Sequence, residues 1–210
     1  MTENRRTAEV MRILERYIVE VVERYDLCPW ARGARERGEL ATAILWGTPS
    51  EADWRTAGER LLAQPSTRVA IVVAPELAIG RAELATIRDR IAAGLTGAGV
   101  AEFHPDAALD LATPARLVPF LRRSPDPLLQ LVPLSILDQV RAVPPVVTRA
   151  AQAEILGGHA APPRADPAAR IARANHTRIA AAGSELAAVL DDIAGDRRRS
   201  YPRVGINTNR

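Results

Sequence analysis

RVAIVVAPELAIGRAELATIRDRIAAGLTGAGVAEF, residues 68–103, passes from a strand pattern to a helix pattern and back. Arg68 to Ala74 is a continuous β-branched run, which marks a strand buried on both faces and hence a central one. Over 81–95, Leu84, Ile87, Ile91 and Leu95 recur at helical spacing and predict an amphipathic helix. Gly97 and Gly99 are expected to end it. Val100 to Phe103 reads as a further short strand, closing at His104-Pro105.

Upstream, Leu40 to Trp46 is a short apolar strand candidate. Ser50 is the expected N-cap of a helix with Trp54, Ala57, Leu61 and Leu62 on its apolar stripe. Residues 5–25 predict an amphipathic helix through Val10, Ile13, Leu14, Tyr17, Ile18, Val21, Val22 and Tyr25. Residues 32–38 read as a polar connection. Alternating strands and helices argue for an α/β layered domain, with parallel doubly wound and ferredoxin-like arrangements both open.

Downstream, 106–127 carries Pro114, Pro119, Pro125 and Pro127 and is expected to be irregular. So long an unstructured stretch inside a domain points to function. Leu128 to Val132 is a fourth strand candidate, and Ser135 to Val143 a short helix. Residues 146–165 read as a lid or a linker. Asp166-Pro167 opens a long last helix running to about Ile193, with Ile171, Asn175, Ile179, Leu186, Leu190 and Ile193 on one stripe. The expectation is an α/β layered domain over 1–194, with a small sheet of three or four short strands, flanking helices and a long C-terminal helix. Residues 195–210 are expected to form a polar, flexible tail.

Composition excludes several classes. Aromatics are 4%, so the core must be aliphatic. There is no lysine, so all 28 basic residues are arginine, interleaved with 25 acids. Only Arg197-Arg198-Arg199 clusters, and no nucleic-acid partner is expected. No apolar run reaches the length of a membrane span, so no membrane association is expected. MTENRRTAEV has no apolar signal region and the sequence has one cysteine, which makes a cytoplasmic location the expectation. Phosphate-cradling glycine loops and HExxH, GxSxG and CxxC motifs are absent.

Six residues remain as site candidates. His104 ends a strand, where α/β sheets face their ligand crevice, and could transfer protons or hold a metal. Cys28 is a nucleophile, a ligand or a small packing residue, with Arg32 and Arg35 near in sequence to favour its thiolate. Arg122, Arg123 and Ser124 form a candidate anion clamp. Asn175 places an amide on an apolar stripe, where it must find partners or point into a site. The identity of any metal or cofactor is unknown at this level; a His104–Cys28 metal site would need Asp106 as well.

These positions resemble an uncharacterised bacterial family, catalogued as domain of unknown function 1415. Leu27, Cys28, Pro29, Trp30 and Ala31 are similar to its Leu-Cys-Pro-Phe-Ala motif, and Phe103, His104 and Pro105 to its Phe-His-Pro. Arg123, Ser124, Pro125, Pro127, Leu129 and Leu131 match its Asn-Arg-Ser-Pro-x-Pro-x-Leu-His-Leu run. Ala174 and Asn175 align with its late Arg-Asn pair. Arg122 stands where the family has asparagine, and Gln130 where it has a second histidine. The resemblance carries no activity; it implies that Cys28, His104, Arg123 and Asn175 converge. Two functions are therefore expected: an enzyme acting on a small anionic metabolite, or a non-catalytic ligand-binding or accessory protein.

Overall fold

The apolar run around Ile71 forms the inner strand that its composition predicts. In the computed structural model, which describes residues 3–28, 31–137 and 167–207, β2 (Val69–Val73) is buried at all five positions. β1 (Leu40–Ile44) pairs with it in parallel. β4 (Leu128–Pro133) pairs antiparallel on its other side, and β3 (Ala98–Phe103) pairs antiparallel with β4. The order is β1-β2-β4-β3. An antiparallel strand thus lies between the parallel β2 and β3, a split βαβ arrangement. Of the two arrangements the sequence left open, the all-parallel one is excluded.

Helices α3 (Glu51–Leu62) and α4 (Arg81–Gly94) cover one face. Ser50 caps α3 as expected: its Oγ accepts from the Asp53 N–H, and the Asp53 carboxylate accepts from the Ser50 N–H at 2.8 Å. Trp54, Leu61, Leu84 and Ile91 pack there against Val72, Leu129 and Leu131. Gly58 is the close approach; a Cβ there would stand 2.9 Å from Leu131 Cδ2.

The other face is covered by α1 (Glu3–Tyr17), a π-helical segment (Ile18–Glu23), α5 (Pro114–Leu121) and α6 (Pro167–Ser200). Three departures from the sequence reading matter. The stretch read as irregular contains α5, started by Thr113, whose side chain accepts from the Arg116 N–H, and by Pro114 at the first position. Those are helix-start signals, and the helix also accommodates Pro119 inside it. The polar connection at 32–38 contains a short helix, α2 (Ala31–Glu36). Gly99 lies inside β3, paired with Val132, rather than ending α4, and a Cβ there would meet Leu137 at 2.8 Å.

The expected flexible tail is also corrected. α6 continues past Ile193 to Ser200, a 3-10 turn follows (Tyr201–Val204), and Tyr201 and Ile206 are buried. Arg197, read as part of a basic cluster, is buried as well. Most of the expected 135–143 helix, the 146–165 connection with His159, and Asp166 lie outside the described residues. Among the described residues no helix is long and apolar enough to cross a membrane.

Asp196 ties α6 to α1, accepting from Arg12 at 2.8 Å and from Arg16 at 2.6 Å. The Arg12 guanidinium, then Arg16, holds its carboxyl down at about 2, against the ordinary 3.8, despite some opposing burial. A depressed carboxylate contributes stability above its unfolded value and loses it as pH falls through the folded value. Asp196→Asn is therefore expected to be less stable than the parent at neutral pH, by under about 1 kcal/mol for so exposed a network. The difference should close between pH 3.8 and about 2. Urea unfolding of both proteins across that range measures it; a gap that persists at the acid end contradicts the assignment.

Candidate functional site

The chain reaches Cys28 through a strained turn. The π-helical segment ends with Leu27 N–H donating to Val22 O at 2.9 Å. Asp26 then takes φ 50°, the left-handed region, which aspartate tolerates better than most residues. Arg178 of α6 clamps that turn, donating to Asp26 O at 2.8 Å and Tyr25 O at 3.2 Å. The turn delivers Leu27 and Cys28 to a cavity of about 350 Å³ between the sheet and the helical layer.

The floor of this cavity is sheet: Val69, Ile71, Phe103, Leu128 and Gln130. Its roof is helical: Tyr17, Ile18, Val22, Val118 and Leu121. π-helical turns recur at functional sites, and here Ile18 and Val22 come from one. Five polar side chains interrupt the apolar lining: Tyr17, Cys28, Arg122, Gln130 and Asn175. This size and this mix of walls and polar groups are those of small-molecule sites.

Tyr17 is the informative member. It is 3% exposed, and its buried hydroxyl has no hydrogen-bond partner among the described residues. Burial pushes the phenol well above its ordinary value; the nearby Cys28 adds to this and the Arg122 charge opposes it. The hydroxyl therefore stays protonated and able to donate. A buried donor left without an acceptor costs about 1–3 kcal/mol.

Arg122 caps the end of α5. Its guanidinium stands 3.4 Å from Glu102, a carboxylate that Arg88 also approaches at 3.3 Å. Asn175 is buried on α6, as its place on the apolar stripe predicts, and of the two roles left open for its amide it lines the cavity.

His104 and Arg123 have other engagements. His104 is buried, with Nε2 2.8 Å from Ile79 O and Nδ1 3.0 Å from the Asp106 amide. A carbonyl only accepts and an amide N–H only donates, so Nε2 carries the proton and Nδ1 accepts. Its backbone binds the arm on both sides: His104 N–H donates to Arg122 O at 3.1 Å, and Ser124 N–H to His104 O at 3.4 Å. Arg123 donates Nε to Pro105 O at 3.2 Å and pairs with Asp191 of α6 at 2.6 Å. Ser124 is buried and donates its hydroxyl to Asp126 O at 2.6 Å.

The expected clamp is thus divided. Arg122 faces the cavity, while Arg123 and Ser124 fasten the arm. Cys28, Arg122 and Asn175 share one cavity; His104 lies beside it, lining a small cleft with Arg81, Glu102 and Arg122. Arg32 and Arg35, expected to favour the Cys28 thiolate, both turn to buried Glu23, at 3.7 and 2.7 Å. Among the described residues, no three His, Cys, Asp or Glu side chains come together to hold a metal ion. Sequence reading missed Tyr17, whose aromatic ring on an apolar stripe looks like core until its hydroxyl is found to lack a partner.

Fold and cavity define an α/β protein with a mixed four-stranded sheet and a ligand-sized apolar chamber on one face. No family model, curated protein or solved structure matches the chain.

Proposed function

We propose that this protein binds a small anionic metabolite, a molecule with an apolar body and a carboxylate, in the cavity lined by Tyr17, Cys28 and Arg122. The carrying observation is the buried Tyr17 hydroxyl, a donor without an acceptor among the described residues, in a largely apolar chamber with an arginine in its wall. A carboxylate entering there accepts from Tyr17 and faces Arg122, while its hydrocarbon part covers Ile18, Ile71 and Leu121. In this reading His104 and Arg123 hold the arm that presents Arg122, and binding rather than catalysis is the core function.

Octanoate is a suitable probe, read by thermal unfolding and calorimetry. The parent should be stabilised by it. Tyr17→Phe should leave the ligand-free protein as stable as the parent or slightly more so, since it deletes an unsatisfied group. The same variant should bind octanoate at least about tenfold more weakly, because hydrogen bonds to charged groups contribute about 1.5–3 kcal/mol. His104→Ala, which keeps the backbone bonds to the arm, should lose stability and weaken binding far less than Tyr17→Phe does. Octanoate that leaves the parent unshifted, or binds Tyr17→Phe equally well, sinks the proposal.

An enzymatic reading is the second one, carried by the Cys28 sulfur in the same chamber. There, Cys28→Ser abolishes turnover of the bound acid and preserves its binding. Kinship with the domain of unknown function 1415 family, and a cytoplasmic location, belong to the same proposal. The first rests on the Leu27–Ala31, Phe103–Pro105 and Arg123–Leu131 motifs and the second on the lone cysteine.

A further inference from the structure

A second cavity, of about 300 Å³, lies on the same face of the sheet. Cys28, Val69 and Gln130 line both chambers. The strand register shows why they adjoin. Phe103 pairs with Leu128, Ala101 with Gln130 and Gly99 with Val132. Alternate residues share a face, so these pairs step along one side at about 7 Å per pair. The β3 side chains shrink in that order, from Phe103 to Ala101 to Gly99. The floor therefore falls away beyond Gln130, and Leu137 roofs the far end over Gly99. Arg122 stands in the wall of the first chamber, and Arg37 and Arg68 line the second, two guanidinium groups that share the single carboxylate of Glu39 at 2.9 and 3.8 Å.

We infer that the two chambers form one elongated site, waisted at Cys28 and Gln130, whose ligand is an unbranched molecule with an apolar midsection and an acidic group at each end. One end meets Tyr17 and Arg122 and the other Arg37 and Arg68, while the aliphatic walls between them cover the chain. The inference rests on the ligand-binding reading above and adds the ligand's length and its second charge.

Calorimetric titration with unbranched monocarboxylates and α,ω-dicarboxylates of increasing length tests it. Dicarboxylate affinity should rise about fourfold per added methylene, the equivalent of about 0.8 kcal/mol per buried CH₂. At the best length the dicarboxylate should bind about tenfold tighter than the monocarboxylate of equal length. Ala101→Phe, which fills only the second chamber, should remove that advantage and leave short monocarboxylates unaffected. Should Ala101→Phe fail to fold, the paired surface changes Arg37→Gln and Arg68→Gln should bring the dicarboxylate down to monocarboxylate affinity. Short acids that bind without gain from length or a second carboxylate overturn the elongated site and leave the first cavity's role standing. A dicarboxylate advantage that survives both sets of variants overturns it equally. Failure of every acid to bind overturns both readings.

Discussion

Arg197→Ala is expected to destabilise the fold by about 3–5 kcal/mol, the cost of removing one partner from a buried ion pair. Asp126 is 2% exposed and accepts from Arg197 Nε and from the Tyr201 hydroxyl, each at 2.6 Å. Arg197 also donates to Pro75 O at 2.9 Å and lies over the Tyr201 ring at 4.7 Å. Burial, then the Asp126 charge, pushes the Tyr201 hydroxyl upward, so it remains a donor. One cluster thus fastens the turn after β2, the arm before β4 and the end of α6. Truncating Arg197 leaves the carboxylate in place without its guanidinium. Urea unfolding measures the loss. Replacing the pair together, Asp126→Leu with Arg197→Met, should recover most of it, because no buried charge is then stranded. A loss below about 1 kcal/mol would mean that the pair behaves like a solvated surface bridge.

Trp54→Ala should cost a similar amount, about 3–5 kcal/mol, through the cavity it leaves between α3 and the sheet. The indole is 1% exposed and packs in the cluster with Leu84, Val72 and Leu131. Its Nε1 is buried with no partner among the described residues. Trp54→Phe should therefore be milder than the lost volume implies, since it also deletes an unsatisfied donor. Chemical unfolding of both variants separates the two contributions. Equal losses in Phe and Ala would show that the ring's size does not matter at this position.

The α/β class was legible because its carriers are local. The β2 run, the Leu84–Ile91 stripe and the Ser50 cap each declare themselves within a few residues. α5 was not, because Pro114 and Pro119 read as breakers when proline is counted without regard to position. The end of α6 was misread for a different reason. Arg197 and Tyr201 look like solvated tail residues unless Asp126, 71 residues away from Arg197, is known to face them. In the site, Cys28, Arg122 and Asn175 could be picked out by residue type and position. The engagement of His104 with Ile79, and of Arg123 with Asp191, comes from packing that no local pattern encodes. Tyr17 marks the limit most sharply, since an orphaned hydroxyl is a property of its surroundings and not of its sequence neighbours.

The strand order also sets a hazard during folding. β4 follows β2 and β3 in the chain yet lies between them. Until Leu128 and its neighbours dock, the inner edge of β2 is an open ladder of Val69, Ala70, Ile71, Val72 and Val73, without charge, proline or glycine. Short segments of that composition stack readily with copies of themselves. α4, β3 and the arm carrying α5 all precede β4 and prolong the exposure. Variants that slow the docking of β4 should therefore be lost to aggregation on refolding even where the finished fold is little weakened.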